Sequence, residues 1–462
     1  MLRGSLMKRS SERGKELGTR KKRSDGQNAE RKKVRQAKFD GKGRRRRYGR
    51  LRKSLYGLRR AAKLFNRGLN KLLIGNGYEQ CPVDKCVYRK TSETGESILF
   101  NTHVDDFAVF PTCEAMFGDL LDVLKSKYDI TVTDRLEKHL GMHVNQYVND
   151  AVGLSQPKHL QVMFDLCGFG DDHVGADIPM PVDWNEADQD NSPKIDIEVY
   201  RKLMGVVLYV LKTRPDVCVA LSKESGRTHK CTEKDMVVLR QTVSYLHRTR
   251  HWELVYQRDC SAQRDTLLQI FIFVDNAFQC YANSHGQDGI CSKVATSANS
   301  ESAMVMCSSS KSKILPLSTC EAEANVAVEG TKEAIWERDL MDFCGHTQPG
   351  PTYIGEDNQA VITLASKEAG THGRTKHFTG RINYLIDNVK NGIIRLEYLR
   401  TEDQKADGLT KPFGLKAQEK FRGDLMGKQM HGSVAKKVRQ VKGESYQKGT
   451  RLVRFDADTK EC

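Results

Sequence analysis

Four acidic residues in the last part of this 462-residue chain stand where separate backbone elements would bring their ends together. Asp275 closes one apolar run, Glu323 opens a long helical stretch, Asp357 closes a second apolar run, and Asp407 follows a third. Acidic side chains at the carboxyl ends of strands and the start of a helix are where an open α/β sheet places an active site. Four such groups repel one another unless cations lie between them. Carboxylate oxygens suit magnesium, and two ions about 4 Å apart can activate a water and stabilise a leaving oxygen at phosphorus. A second acidic pair, Asp105 and Asp106, sits at the tip of a hairpin and is a candidate divalent-metal site. Taken alone, an Asp pair at a turn is ordinary turn chemistry, and Glu323 at a helix start is an ordinary partner of the helix dipole.

The elements that must position these residues are legible from hydrophobic pattern. LLQIFIFVDNAF, residues 267–278, and PTYIGEDNQAVITLA, residues 351–365, read as buried strands ending at Asp275 and Asp357, the second running into a helix. Between them, LSTCEAEANVAVEGTKEAIWERDLMDFCG has a capping-box start at Ser318 and Glu321, no Pro, and a stop at Gly345. Its small residues Ala324, Ala327, Val328 and Ala334 recur at helical spacing, so one face can lie close on a sheet. Strand-like pieces fall at 289–294 and 303–307; IIRLEYL is a further strand, followed by a helical start, TEDQKADGLTK, that carries Asp407. Upstream, a helix ends at Gly75 to Gly77, CVYRK is a short strand, and ESILFNTHVDDFAVF alternates as a hairpin around Asp105 and Asp106.

The formal charge of +16 is concentrated in residues 1–60, which hold 24 Lys and Arg against 5 Asp and Glu; the rest is near neutral. Residues 1–47 are too polar to offset their ordering entropy and are expected to be disordered, available for phosphate contacts or, around Arg20 to Arg23, for nuclear import. Thirteen cysteines without a CxxC pair fit reduced thiols inside a cell better than a disulfide framework or a zinc site. The longest apolar run, from Met204 to Leu211, is too short to span a bilayer, and no signal-peptide core is visible.

Five blocks, SLYGLRRAAKLF, HVDD, LGMHV, GLSQPKHL and YRKLMGVVLYVLKTRPD, follow one another between Ser54 and Asp216. In order and spacing they resemble the reverse transcriptase region of copia-type long-terminal-repeat retrotransposons. FVDNAF, LSTCEAEAN, GEDNQAVI, RTKH and RTEDQKADGLTKPF resemble the RNase H domain of the same family, so the resemblance spans Leu51 to Gly427. It implies α/β and α+β folds: a partial reverse transcriptase palm with a helical thumb or connection, then an RNase H-like α/β domain with a mixed sheet. The expected divisions are a basic tail at 1–47, a truncated palm at 48–180, a linker at 181–198, a helical thumb or connection at 199–261, the RNase H-like domain at 262–427 and a basic tail at 428–462. The strand-like RLVRF at 451–455 has no assignment.

By the resemblance, Asp275, Glu323, Asp357 and Asp407 are the catalytic, metal-binding carboxylates of an RNase H holding two Mg2+ ions, with Glu323 favoured over its neighbour Glu321. Asn358, Gln359 and His377 are the implied substrate-binding or product-release residues. Asp105 and Asp106 are the implied metal-binding remnant of a polymerase. The family's third palm aspartate lies upstream of the SLYGL block, where this chain carries only basic sequence; Arg60 and Ala62 replace a Gln and a Pro of that block, and His103 replaces a Tyr. The palm is therefore expected to be truncated and inactive alone. Ala277, Phe278 and Cys307 also depart from the RNase H pattern, but the four carboxylates are kept. The implied function is metal-dependent hydrolysis of RNA in RNA–DNA hybrids; the alternative is a non-catalytic nucleic-acid-binding relic of a decayed retroelement. Expected partners are a hybrid or other nucleic acid and other retroelement Pol chains, with no membrane, in an intracellular location, cytoplasmic or nuclear.

Overall fold

The computed structural model describes residues 61–147, 150–257, 267–367, 376–430 and 450–455. Expectations for the basic N-terminal segment, the SLYGL block through Arg60, and most of the C-terminal tail lie outside these residues. Residues 69–459 form one compact unit; the described part of the other, residues 61–68, is the start of the first helix.

Helix α1 (Ala61–Gly75) buries Leu69 and Leu73, and the chain leaves it through Gly77 at φ +81°. Strands β1 (Glu79–Gln80), β2 (Val87–Thr91), β3 (Ser97–His103) and β4 (Asp106–Pro111) then form an antiparallel meander. Ile98, Phe100 and Thr102 alternate into the core along β3, as period-two patterning requires. Tyr88, Phe100 and Phe107 stack across the sheet with ring centroids 5.5 and 5.6 Å apart. The hairpin loop consists of Val104 and Asp105, because His103 already pairs with Asp106. Val104 takes φ +54°, a conformation that strains a β-branched residue by about 1–2 kcal/mol. Helix α2 (Glu114–Lys125) and strand β5 (Ile130–Thr133) follow.

A second antiparallel sheet combines β6 (Lys138–His139), β7 (Met142–Gln146) and β8 (Val152–Ser155) with a strand contributed a hundred residues later. The intervening chain is mostly helical: α3 (Pro157–Cys167), α4 (Glu186–Asp190), α5 (Ile197–Val207), α6 (Cys218–Gly226) and α7 (Glu233–Arg248). Residues 181–198, expected as a linker, are mostly exposed, but they carry α4 and the buried Trp184, whose indole donates to Glu224 at 3.0 Å. Strand β9 (Leu254–Tyr256) closes the second sheet against β8.

The third sheet is mixed, as expected for an α/β domain. It consists of β10 (Gln269–Ala277), β11 (Gln287–Ala295), β12 (Met306–Lys311), β13 (Thr352–Glu356) and β14 (Ile394–Tyr398), in the spatial order β12-β11-β10-β13-β14. The β10–β11 and β11–β12 pairs are antiparallel, whereas β13 joins β10, and β14 joins β13, in parallel. The parallel pairings are made through helices, as such crossovers require. They are α8 (Thr319–Phe343) between β12 and β13, and α9 (Gln359–Ala365) with α10 (Thr379–Lys390) between β13 and β14. The small-residue face of α8 is buried, and a Cβ at Gly330 would stand 2.6 Å from Val274 Cγ1. Gly330 thus sets how closely α8 approaches β10, the strand that carries Asp275.

The Asp407 segment is not the start of an α-helix. It forms two single 3-10 turns, Thr401–Asp403 and Asp407–Leu409, before α11 (Leu415–Met426) begins. Residues 451–455, within the expected basic tail, form a fifteenth strand, β15 (Arg451–Phe455). It lies in the first sheet, antiparallel to both β4 and β5. Among the described residues, no helix is long and apolar enough to cross a membrane.

A fully buried ion pair links the middle helices to α11. The Arg214 guanidinium donates to both Asp216 oxygens at 2.9 and 2.8 Å, Tyr245 donates to Asp216 at 2.7 Å, and Gln418 of α11 donates to the Asp216 carbonyl at 3.1 Å. Removing one partner strands the other charge without water, which costs about 3–5 kcal/mol. Arg214→Ala is therefore expected to lower the unfolding free energy by that amount in urea titration; a loss below about 1 kcal/mol would contradict this role for the pair.

Candidate functional site

Three acids from three elements converge at one end of the mixed sheet. Asp275 lies near the end of β10, Glu323 in the second turn of α8, and Asp357 just beyond β13. One ligand oxygen of each lies within 4.8 Å of the others. β10 and β13 run parallel, so their carboxyl ends coincide and bring Asp275 and Asp357 side by side. Gln404 links these two strands: its amide donates to the Val274 carbonyl at 2.9 Å and to the Gly355 carbonyl at 3.3 Å.

Asp407 approaches the trio without joining its three-atom cluster. Lys411 holds its carboxylate at 2.6 Å. The turn that carries it lies on β11 at Gly289, where a Cβ would come 2.8 Å from the Ala406 carbonyl and from Thr410 Cγ2. Only a glycine lets this turn reach the sheet. From the same turn, the Thr410 hydroxyl donates to Asp275 at 2.6 Å.

Charge is the central problem of this site. At an effective dielectric of about 20, two carboxylates 4.8 Å apart repel by about 3 kcal/mol. Burial, supplemented by repulsion from Asp407 and Asp357, pushes Asp275 up to about 6. Burial also raises Glu323, with Glu356 and Asp275 adding to the rise. Glu356, fully buried beside Asp357, is raised by burial and by its acidic neighbours. Asp407 is raised by burial while Lys411 opposes the shift. Among the described residues, Glu323 Oε2 and Glu356 Oε2 have no hydrogen-bond partner. Unpartnered, buried, all-oxygen acceptors of this kind fit hard divalent cations.

The other expected site residues are placed as follows. Glu321, the neighbour of Glu323, faces elsewhere: its carboxylate accepts from the Leu317 amide at 2.7 Å and lies 3.3 Å from His377 Nε2. His377 thus meets Glu321 and is partly exposed. The Asn358 side-chain oxygen caps α9, accepting from the Ala360 and Val361 amides, and Gln359 is exposed at the first turn of that helix. Asp105 and Asp106 lie in the first sheet, outside the Asp275 cluster; burial, with repulsion from Asp106, raises Asp105.

Sequence reasoning missed Gln404, Thr410, Lys411 and Glu356. Thr410 and Lys411 were adjacent to the acidic motif, so a polar side chain one turn beyond Asp407 was a usable signal. For Gln404, which bonds Val274 across 130 residues of chain, no local signal exists.

The chain is similar to known proteins in two ways. The family described as "Reverse transcriptase (RNA-dependent DNA polymerase)" matches residues 34–180. The retrovirus-related Pol polyprotein from transposon RE1 of Arabidopsis thaliana is 24% identical over 393 residues, 80% of this chain and 24% of that protein. The corresponding polyprotein from transposon TNT 1-94 of Nicotiana tabacum is 25% identical over 386 residues, 81% of this chain and 28% of that protein. The chain therefore spans about a quarter of the length of these relatives. Among solved structures, LC11-RNase H1 isolated from compost aligns with 33% of this chain and 96% of its own at 15% identity and TM-score 0.23. The N-terminal RNase H domain of rv2228c from Mycobacterium tuberculosis aligns over the same shares at 15% identity and TM-score 0.22.

An acid whose folded pKa lies above its unfolded value binds protons preferentially when folded, so its contribution to stability fades as pH rises through the folded value. For Asp275, from an ordinary 3.8 to about 6, this amounts to about 2–3 kcal/mol lost between about pH 4 and 7 without metal. Asp275→Asn is expected to flatten that part of the pH dependence and to be the more stable protein at pH 7 in EDTA. Equal slopes for the two proteins in denaturant titrations across this range would contradict the assignment.

Proposed function

The chain belongs to the copia-like, retrovirus-related Pol polyproteins, and from that premise we propose that it cleaves the RNA strand of RNA–DNA hybrids at the Asp275 centre. The observation that carries this reading is the convergence of Asp275, Glu323 and Asp357, from three elements, with the buried Glu323 Oε2 left without a hydrogen-bond partner. Asp275, Glu323, Asp357 and Asp407 would hold two Mg2+ ions, which would supply an activated water and charge stabilisation for in-line displacement at phosphorus.

The chain's own groups perform the rest. Thr410 orients the Asp275 carboxylate by donating to one oxygen, which leaves the other to the centre. Gln404 fixes the ends of β10 and β13, so the spacing between Asp275 and Asp357 is set by backbone. Lys411 serves as counterion to Asp407. Gln359, exposed near Asp357, would contact the hybrid, and Asn358 holds the α9 terminus that carries it. RNA is distinguished from DNA in such sites through 2′-hydroxyl contacts and groove shape. His377, held by Glu321, is a candidate for product release. The substrate places this activity inside the cell, in cytoplasm or nucleus.

We assign no independent polymerisation to the palm hairpin. Asp106, one of its two acids, is already ion-paired to Arg454 at 2.6 Å.

The test is magnesium-dependent cleavage of a labelled RNA–DNA hybrid, run beside primer extension on an RNA template. Asp275→Asn and Asp357→Asn are each expected to lose about 100-fold or more in cleavage, since each removes a ligand worth several kcal/mol to the transition state. Thr410→Val should lose less. Cleavage that survives in both Asn variants, or its absence from the folded, Mg2+-loaded chain, overturns the proposal.

A further inference from the structure

The first sheet is completed by a strand from the opposite end of the chain. β15 is hydrogen-bonded to β4 on one side and β5 on the other, and it is the only strand that pairs with β5 among the described residues. Without it, β5 would lose its sheet partner and β4 would present an open edge beside Asp105 and Asp106. Open edges accept extended segments through main-chain bonds, while pockets for alternate side chains supply specificity.

RLVRF fits this slot by burial and by charge. Val453 is fully buried; Leu452 packs with Ala108 and Leu136, and the Phe455 ring meets those of Phe107 and Tyr128 edge-on, at 5.0 Å each. Arg451 pairs with Glu114 at the start of α2. Arg454 lies directly opposite Asp106 in the register, and its guanidinium donates to that carboxylate at 2.6 Å. The main chain closes both ends of the strand: the Leu136 amide donates to the Thr450 carbonyl at 3.2 Å, and the Phe455 amide to the Asp105 carbonyl at 3.0 Å.

We propose that β15 is an intrachain plug on the Asp105–Asp106 hairpin, with strand addition seating Arg454 on Asp106 so that a divalent cation and the Arg454 guanidinium exclude each other there. A guanidinium and a metal ion compete for the same carboxylate oxygens. An ion pair this exposed is weak alone, so the strand's hydrogen bonds and buried side chains are what keep the arginine in place. The slot is thus a binding site for an extended segment of apolar residues interspersed with basic ones, and the chain supplies its own occupant. This inference rests on the palm reading and is independent of the Asp275 centre.

The experiment counts Mn2+ ions bound per chain by electron paramagnetic resonance, in a full-length background carrying Asp275→Asn and Asp357→Asn. The background chain is expected to take up no ion at the hairpin. Arg454→Gln, which keeps the strand, and a chain ending at Lys448, which lacks it, are each expected to gain one ion. That ion should be lost when Asp105→Asn and Asp106→Asn are added. A synthetic peptide covering residues 449–457 should expel it from the shortened chain. Equal Mn2+ uptake by the background chain and Arg454→Gln overturns the plug, whatever the shortened chain does. Primer extension by the intact chain would also overturn the plug, because it needs metal at the hairpin with Arg454 in place; loss of hybrid cleavage alone would leave the plug untouched, so its failure and that of the Asp275 centre are distinguishable.

Discussion

Mutual repulsion among buried carboxylates is the constraint on which the mixed-sheet domain depends. Asp275 and Asp357 are neighbours because β10 and β13 run parallel and end together, and Glu323 meets them because α8 lies close on the same sheet. Hydrophobic burial of α8 against β10 compensates for bringing the acids together, and Gly330 makes that approach possible. On the other side of Asp275, Gly289 gives room to the Asp407 turn, and the turn returns a hydrogen bond through Thr410. The packing therefore imposes a charge problem that protein groups answer only in part. Protons answer it at low pH, and cations would answer it where the acids are ionised.

The first sheet meets a similar difficulty with a different counterion. Its acidic pair is more exposed, at a hairpin whose loop includes Val104 in a strained conformation, and there the neutralising charge is the chain's own Arg454. In the mixed sheet, Lys411 sits on the outlying acid Asp407, and among the described residues the central trio has no basic partner at hydrogen-bond distance. The two regions thus differ in chemistry although each gathers acids at a turn. One is closed by a guanidinium, and the other keeps acceptor oxygens open.

What the sequence revealed followed the range of the forces involved. Strands β10 and β13 and helix α8 were legible because burial writes a local period into the residues, and their terminal acids were read with them. The choice of Glu323 over Glu321 rested on the spacing within EAE; in the structure Glu321 turns to Leu317 and His377. The Asp407 segment was misread as an α-helix because its polar opening resembles a helix start. In the structure, Gln404 spends its side chain on two strand carbonyls and the chain makes only short turns. Residues 451–455 had a strand pattern but no visible partner. Their place between β4 and β5 is set by contacts across more than 300 residues, which no local pattern encodes.

The account's central claim is that cations replace protons among Asp275, Glu323 and Asp357. The most direct measurement is calorimetric titration of the chain with Mg2+ near pH 6, repeated in buffers of different ionisation enthalpy so that released protons are counted. Binding should release protons, because carboxyl groups held above their ordinary range must ionise to become ligands. The release should shrink at higher pH as Asp275 ionises, and binding should weaken in Asp275→Asn. Mg2+ binding without proton release near pH 6, or binding that is unchanged in Asp275→Asn, would contradict the account.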